Sequence, residues 1–252
     1  MRKIYSILFF LLVFSKIVAQ EALASEKQAK KLFEISKNYR IISDDSIFSY
    51  AKKIEKLNKN KISKKTNAYK NVTLCLYYFE KSQENEAKNY ALSALLYFTT
   101  IKDDEEIAFA KSILGRIYQK NSDYVKASQY YFESNTIANK LNLNDTKIFN
   151  NKNLAFLFLD QQNIPKALFY AEAAKKILIS ADNKKEIGYS LGILAEIYRT
   201  DAKEELSNKY FEQSFKVFEN LNFENGKAWA ITNWSLLKMH GAKKSYLMRI
   251  TA

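Results

Sequence analysis

The chain has 252 residues, 47% of them hydrophobic and 27% charged, a globular composition with enough apolar material to bury a core. Five Gly and one Pro leave little for tight hairpins or Gly-rich phosphate loops, while 36 aromatic residues argue against disorder; the expected product is mostly helix. A lone cysteine, Cys75, and a lone histidine, His240, exclude an intramolecular disulfide, a Cys-rich zinc site and any His-based cluster or triad.

The formal charge of +13 is unevenly spread. Residues 1–20 carry +3 and residues 26–70 carry +8, whereas 71–240 hold 21 basic and 21 acidic side chains. Only five of the 40 basic residues are Arg, the side chain suited to forked recognition of phosphate or guanine, so nucleic acid is not the expected partner.

Met1-Arg2-Lys3, the apolar run Ile4 to Phe14 and the segment Ser15-Lys16-Ile17-Val18-Ala19-Gln20 form the charged, apolar and small-residue parts of a secretory signal over 1–20. The run is about half the ~20 residues needed to span a bilayer and Lys16 interrupts it, so removal after Ala19 or Gln20 is expected rather than a permanent anchor. No Cys at that junction offers a lipid-attachment site. The expected localisation is exported, periplasmic or secreted.

Residues 21–65 read as a degenerate helix pair, with Leu32, Phe33 and Ile35 and then Ile47, Ala51, Ile54 and Leu57 on its apolar faces; such a pair caps an array. Lys52, Lys53, Lys56, Lys59, Lys61, Lys64, Lys65 and Lys70 form the densest charge run, opposed within it by Glu55. A solvated helix face is one account of the run, and peripheral contact of Lys52–Lys70 with an anionic envelope surface is the other.

From residue 66 to 240 a forty-residue ruler organises the chain as four full units and a half unit. Leu74, Leu114, Leu154, Leu194 and Trp234 share one phase, each followed by a small residue (Cys75, Gly115, Ala155, Ala195, Ser235). Tyr78, Tyr118, Phe158 and Tyr198 follow; then come the small columns Ala87, Ala127, Ala167, Ser207 and Ala94, Ser134, Ala174, Ser214, with Ala68, Ala108, Ile148, Gly188 and Ala228 upstream. The physical reading is two helices per unit, large residues filling the space between them and small ones letting backbones approach. Polar turns such as Lys120-Asn121-Ser122-Asp123 and Asp160-Gln161-Gln162-Asn163 separate the helices, and the only proline, Pro165, sits at a helix start. Asp103-Asp104-Glu105-Glu106 and Asn144-Asp145 are expected to cap first turns and answer the helix dipole.

These columns resemble tetratricopeptide repeats (TPR), with Leu114-Gly115-x-x-Tyr118 followed by Ala127 and Tyr131 as the nearest unit. The unit is 40 residues instead of 34, and the early Trp and closing Pro are absent, as in an extended-helix variety of the family. The resemblance implies an all-α, α-α superhelical solenoid of antiparallel helix pairs, with the first helix of each unit lining a concave face. On that face the second position of every first helix is aromatic: Tyr69, Phe109, Phe149, Tyr189 and Trp229. One reading makes these rings packing between units, the usual fate of an aromatic stripe. The other makes them a groove for a protein or peptide, with Arg116, Gln119, Lys152, Asn153, Glu196, Arg199 and Asn233 as its polar complement. The Lys, Asn and Arg set with which some family members grip a terminal carboxylate is matched only in fragments, because Val72, Ser112 and Gly192 stand where Lys152 does.

No nucleophile has a base in a repeated or clustered setting, so a non-enzyme without cofactor or metal is expected. Cys75 fits the small column as a buried apolar thiol, and His240 with Gly241 reads as a helix end. The fifth unit starts with Ala228, Trp229, Trp234 and Ser235 but has Lys238 where others have an aromatic residue, and 241–252 read as an irregular basic tail. The expected function is an exported scaffold that binds a protein or peptide without catalysis. The alternative is the truncated sensory region of a bacterial signal-transduction or transcriptional regulator, and an envelope enzyme ranks third.

Overall fold

Helices of 17 residues separated by three-residue turns set the rhythm of the chain from Lys64 to Asn220. The computed structural model describes residues 2–37, 44–58 and 63–235, with side chains from Leu11. Its helices are α1 (Arg2–Ser36), α2 (Asp44–Leu57), α3 (Lys64–Glu80), α4 (Glu84–Thr100), α5 (Asp104–Lys120), α6 (Tyr124–Lys140), α7 (Asn144–Asp160), α8 (Ile164–Ser180), α9 (Lys184–Thr200) and α10 (Glu204–Asn220). A further helix, α11, covers 224–235, and no strand occurs among the described residues. The expectations for Lys59, Lys61, Lys238, His240 and the tail over 241–252 lie outside these residues.

The turns are one device used eight times. After α4, the Asp103 amide donates to the Phe98 carbonyl at 3.0 Å and the Lys102 amide to Thr99 at 3.2 Å, closing the helix in a Schellman motif. The middle residue is left-handed in every turn, and none of the eight is glycine: Ser82, Lys102, Ser122, Asn142, Gln162, Asp182, Ala202 and Asn222 have φ between 48° and 59°. Asn and Asp tolerate this region through local hydrogen bonding, but a β-carbon costs the others about 1–2 kcal/mol. Ala202→Gly is therefore expected to raise stability by about 0.5–1 kcal/mol after the greater unfolded-state freedom of glycine is subtracted. A rise in the urea midpoint at constant m checks this, and a fall would show that the turn needs the methyl group.

The described glycines sit instead inside helices against rings. A Cβ on Gly115 would meet the Tyr131 ring at 2.8 Å, which is why the small column after Leu114 admits so little. The same column holds Cys75, fully buried, whose thiol is pushed well above its ordinary range by desolvation and is chemically quiet. The other small columns are equally buried, and where they carry serine the hydroxyl crosses to the neighbouring helix. Ser134 donates to the Ala108 carbonyl at 2.7 Å, Ser207 to Ala195 at 2.8 Å and Ser214 to Gly188 at 2.7 Å.

A second staple joins the two helices of each pair. Tyr78 stacks on Tyr90, Tyr118 on Tyr130, Phe158 on Tyr170 and Tyr198 on Tyr210, with centroids 5.3–5.5 Å apart and interplanar angles of 5–15°. Lys126 and Lys166 lie over the first-helix rings Tyr118 and Phe158 at 5.2 and 5.0 Å.

The chain divides into two compact units, Met1–Ile137 and Ala138–Ala252. In the first, α1 packs on α2 and α3, α2 on α3, α3 on α4 and α4 on α5. Its core joins Ala29 and Phe33 of α1 to Ile54, Ala68, Tyr69, Val72, Ala94, Phe98 and Ile107. In the second, α7 packs on α8, α8 on α9 and α9 on α10, with a smaller contact between α7 and α9. Leu154, Ala155, Leu178, Leu194, Ile197 and Phe218 are fully buried there.

Helix α1 runs without a break across residues 20 and 21. Leu11, Leu12, Phe14 and Ile17 on its first half are 50–64% exposed, so the described fold buries little of them. Among the described residues no helix is long and apolar enough to cross a membrane.

Candidate functional site

The predicted aromatic column divides between the two units. In the first unit it is largely interior. Tyr69 is 1% exposed, stacked on Phe33 of α1 at 5.5 Å and tilted against Phe98 of α4 at 5.7 Å. Phe109 is half-buried and meets the edge of Phe33 at 5.2 Å. Tyr69 is thus a core residue rather than a groove residue, because Phe33 covers it. The Lys37 ammonium lies 4.6 Å from the Phe33 centroid and 4.7 Å from that of Phe109, a cation on the negative faces of two rings.

Beside these rings lies a charge cluster that the sequence pattern does not announce. Glu106, expected to serve the α5 dipole, is completely buried, and its carboxylate stands 3.3 Å from the Lys30 ammonium, which also reaches Glu105 at 3.3 Å. Desolvation pushes the Glu106 carboxyl above its ordinary range, Lys37 and Lys30 pull it back, and Glu34 and Glu105 add to the rise. Burial and the nearby Glu106 push the Tyr69 hydroxyl far above its usual value. Asp103 makes no cap bond; its carboxylate binds Lys65 of α3 at 2.7 Å. Arg116 lies 4.5 Å over the Phe79 ring, and burial holds its guanidinium down to about 10. Gln119 accepts from the Tyr131 hydroxyl at 3.0 Å.

In the second unit, Phe149 is half-buried on α7. Tyr189 and Trp229 come together at 5.1 Å, edge to face, and both pack around Phe218, which lies 4.9 Å from Tyr189 and 6.4 Å from Trp229. The absence of a side chain at Gly192 lets the Trp229 ring lie directly on α9. Lys152, 14% exposed, binds Glu186 of α9 at 2.8 Å, an ion pair that joins two first helices. Asn153 is buried and donates to the Phe149 carbonyl of its own helix at 2.7 Å, and Asn233 does the same to Trp229 at 2.8 Å. Arg199 forks onto Glu196 one turn earlier, with Nε to Oε2 at 2.8 Å. Both side chains remain about 30% exposed, and the ion pair holds the guanidinium above its ordinary range. Of the polar candidates, this pair is presented to solvent on a rigid helix, whereas Asn153 and Asn233 are spent on their own backbones.

The staple column Tyr90, Tyr130, Tyr170 and Tyr210 keeps the forty-residue phase of the sequence. The carboxylate partners of Lys30 and Lys65 lie on α5 and in the turn before it, and no periodicity signals them. Groups of three or more His, Cys, Asp or Glu able to hold a metal ion are absent among the described residues.

Antiparallel helix pairs, small residues at the helix crossings and repeated Schellman turns define an all-α, TPR-like helical-repeat fold, a class that commonly mediates protein interactions and is typically non-catalytic. Comparison with protein-family models and with curated proteins finds no match. Solved structures do match. The chain is similar to a putative kinesin light chain with nearly identical TPR-like repeats from Podosopora anserina, at a TM-score of 0.57 and 14% identity over 78% of this chain and 97% of that one. It is similar to the apo form of RapI, at 0.55 and 16% over 84% and 85% of the two chains. It is also similar to a STAND signal-transduction ATPase with a tetratricopeptide repeat sensor from Pyrococcus horikoshii, at 0.59 and 17%, covering 90% of this chain and 38% of that one. At these identities the likeness is one of fold.

Proposed function

We propose that the protein is an exported, non-catalytic TPR scaffold of the extended forty-residue variety, and that it binds a protein or peptide through its first helices. The observation that carries this reading is the second-unit first-helix set. Tyr189 and Trp229 are held by packing on Phe218, Phe149 is half-buried on α7, and the Glu196–Arg199 pair stays accessible on α9. Pre-ordered rings and fixed charges lower the entropy that binding must overcome. Export is supported by the sequence of residues 1–20 and by the exposure of the apolar side chains on the first half of α1.

The test places a photo-crosslinking amino acid at position 199 on α9 or, as a control, at position 216 on α10, in cells that process secretory signals. Adducts with an envelope protein at 199 and none at 216, lost in the Glu196→Lys Arg199→Glu double variant, are the expected result. Equal adducts at both positions, or adducts at 216 alone, overturn the assignment. Intact mass of the same preparation checks export: loss of the first 19 or 20 residues is expected, and an unprocessed chain in the cytoplasm contradicts it. A second reading, the sensory region of a signal-transduction regulator, is favoured by the STAND neighbour, whose repeats are described as its sensor. Adducts with a kinase or a DNA-binding protein would select it.

A further inference from the structure

A cleft of about 770 Å³ opens in the first unit where α2, α3 and α4 meet, and neither Tyr69, Phe109 nor Arg116 lines it. Its walls carry Lys56 from α2 and Lys64 and Lys70 from α3. The one carboxylate among its lining residues, Glu55, is already shared by Lys52 at 3.3 Å and Lys70 at 3.8 Å. Lys56 and Lys64 bring two further lysine side chains to adjacent walls of the cleft, where Glu55 is the one carboxylate among the described lining residues. Asn67 and Asn71, on successive turns of α3, add amide groups, and Asn71 is held in place by donating to Ser93 of α4 at 3.0 Å.

We propose that this cleft is a binding site for an acidic peptide segment of another protein. Three features select that ligand. The volume lies in the range of sites that enclose a several-residue ligand and far exceeds an inorganic anion. The cations are all lysines, point charges that suit single carboxylates, with no guanidinium fork for bidentate phosphate. Amide side chains both donate and accept, which matches the alternating N–H and C=O of a peptide backbone, whereas Tyr97 alone offers a ring on which a base or sugar could stack. The lysine-dense stretch of the sequence thereby gains a local purpose: Lys56, Lys64 and Lys70 line the cleft, and Lys52 shares Glu55 with Lys70 at its wall.

The test measures fluorescence anisotropy of the full chain with a labelled acetyl-tetraglutamate peptide, against tetraglutamine and tetralysine peptides of the same length. Selective, salt-sensitive binding of the glutamate probe is expected, weakened about tenfold or more by Lys56→Glu Lys64→Glu and unchanged by Glu196→Lys Arg199→Glu. Circular dichroism and a thermal melt confirm that the reversed variant is folded. Equal binding of the glutamine probe, an unaltered affinity in the reversed variant, or full displacement by inorganic phosphate at matched charge overturns the assignment. Because the two double variants lie on different units, failure here leaves the first-helix reading to its own experiment.

Discussion

Truncation of Phe218 to Ala is expected to cost about 3–5 kcal/mol, the upper range for a buried aromatic ring. Phe218 is completely buried and touches Tyr189, Phe223 and Trp229, so it is the hub of the second-unit aromatic cluster. The cost belongs at the high end because the site cannot collapse. Gly188 and Gly226 both lie against the ring, and a Cβ on Gly188 would stand 2.6 Å from it, so the neighbouring backbone has no side chain with which to fill the space. Both tryptophans of the chain, Trp229 and Trp234, lie in this unit, which makes indole fluorescence a local reporter of its unfolding. A fall of the fluorescence-detected urea midpoint for Phe218→Ala is expected. Phe169→Ala, at a ring 67% exposed, should stay within about 0.5 kcal/mol of the parent. A loss below about 1 kcal/mol at Phe218 would mean that the cluster repacks and that the Tyr189 and Trp229 rings are mobile enough to follow a ligand.

That result bears on the two readings of the aromatic column, which the sequence left side by side. A stripe at one phase of every first helix shows that its residues share a face, but the covering of that face is decided by side chains far away in the chain. Phe33, 36 residues earlier, covers Tyr69, and Phe218 backs Tyr189. Local rules were legible wherever the determinant is local. The turn positions, the small columns and Pro165 in the first turn of α8 follow from spacing and from the missing N–H of proline, and Asn163 caps that helix by accepting from the Lys166 amide at 3.2 Å. Asp103 occupies the N-cap position of α5 and does not cap, because Lys65, 38 residues earlier, offers its carboxylate a charge-assisted bond at 2.7 Å. The α7 capping position likewise falls on Leu143, so Asn144 and Asp145 lie inside the helix. The positive run was legible as a run, and Lys52 meets Glu55 one turn on in its own helix, but the pairing of Lys65 with Asp103 and of Lys70 with Glu55 depends on neighbours beyond their own helix.

Glu106 carries the clearest consequence of such a tertiary placement. Its carboxylate is fully buried, and the groups facing it are Lys30 and Glu34 of α1, Lys37 just past the end of that helix, Tyr69 of α3 and its neighbour Glu105. Desolvation lifts its folded-state pKa above the ordinary value of 4.5 despite the two lysines, so between 4.5 and that raised value the folded state holds more protons than the unfolded one. Stability contributed by this group therefore falls as pH rises through the window, the reverse of the usual salt-bridged acid. Lys30 titrates above 10.5 and contributes nothing to the slope there, while Glu133, held below its ordinary value by Lys111, loses its contribution as pH falls below about 4.5. Glu106→Gln removes the buried charge and keeps an amide oxygen beside Lys30, which retains Glu105 at 3.3 Å. The variant is expected to be more stable than the parent by about 1–3 kcal/mol above the window and equal to it below. Urea titrations from pH 4 to 8 separate this from the opposite case, in which the Lys30 contact outweighs desolvation and the variant is weaker at pH 8. In that case α1 would be held on α5 chiefly by charge, and neutralising Lys30 should loosen it as much as removing the carboxylate does.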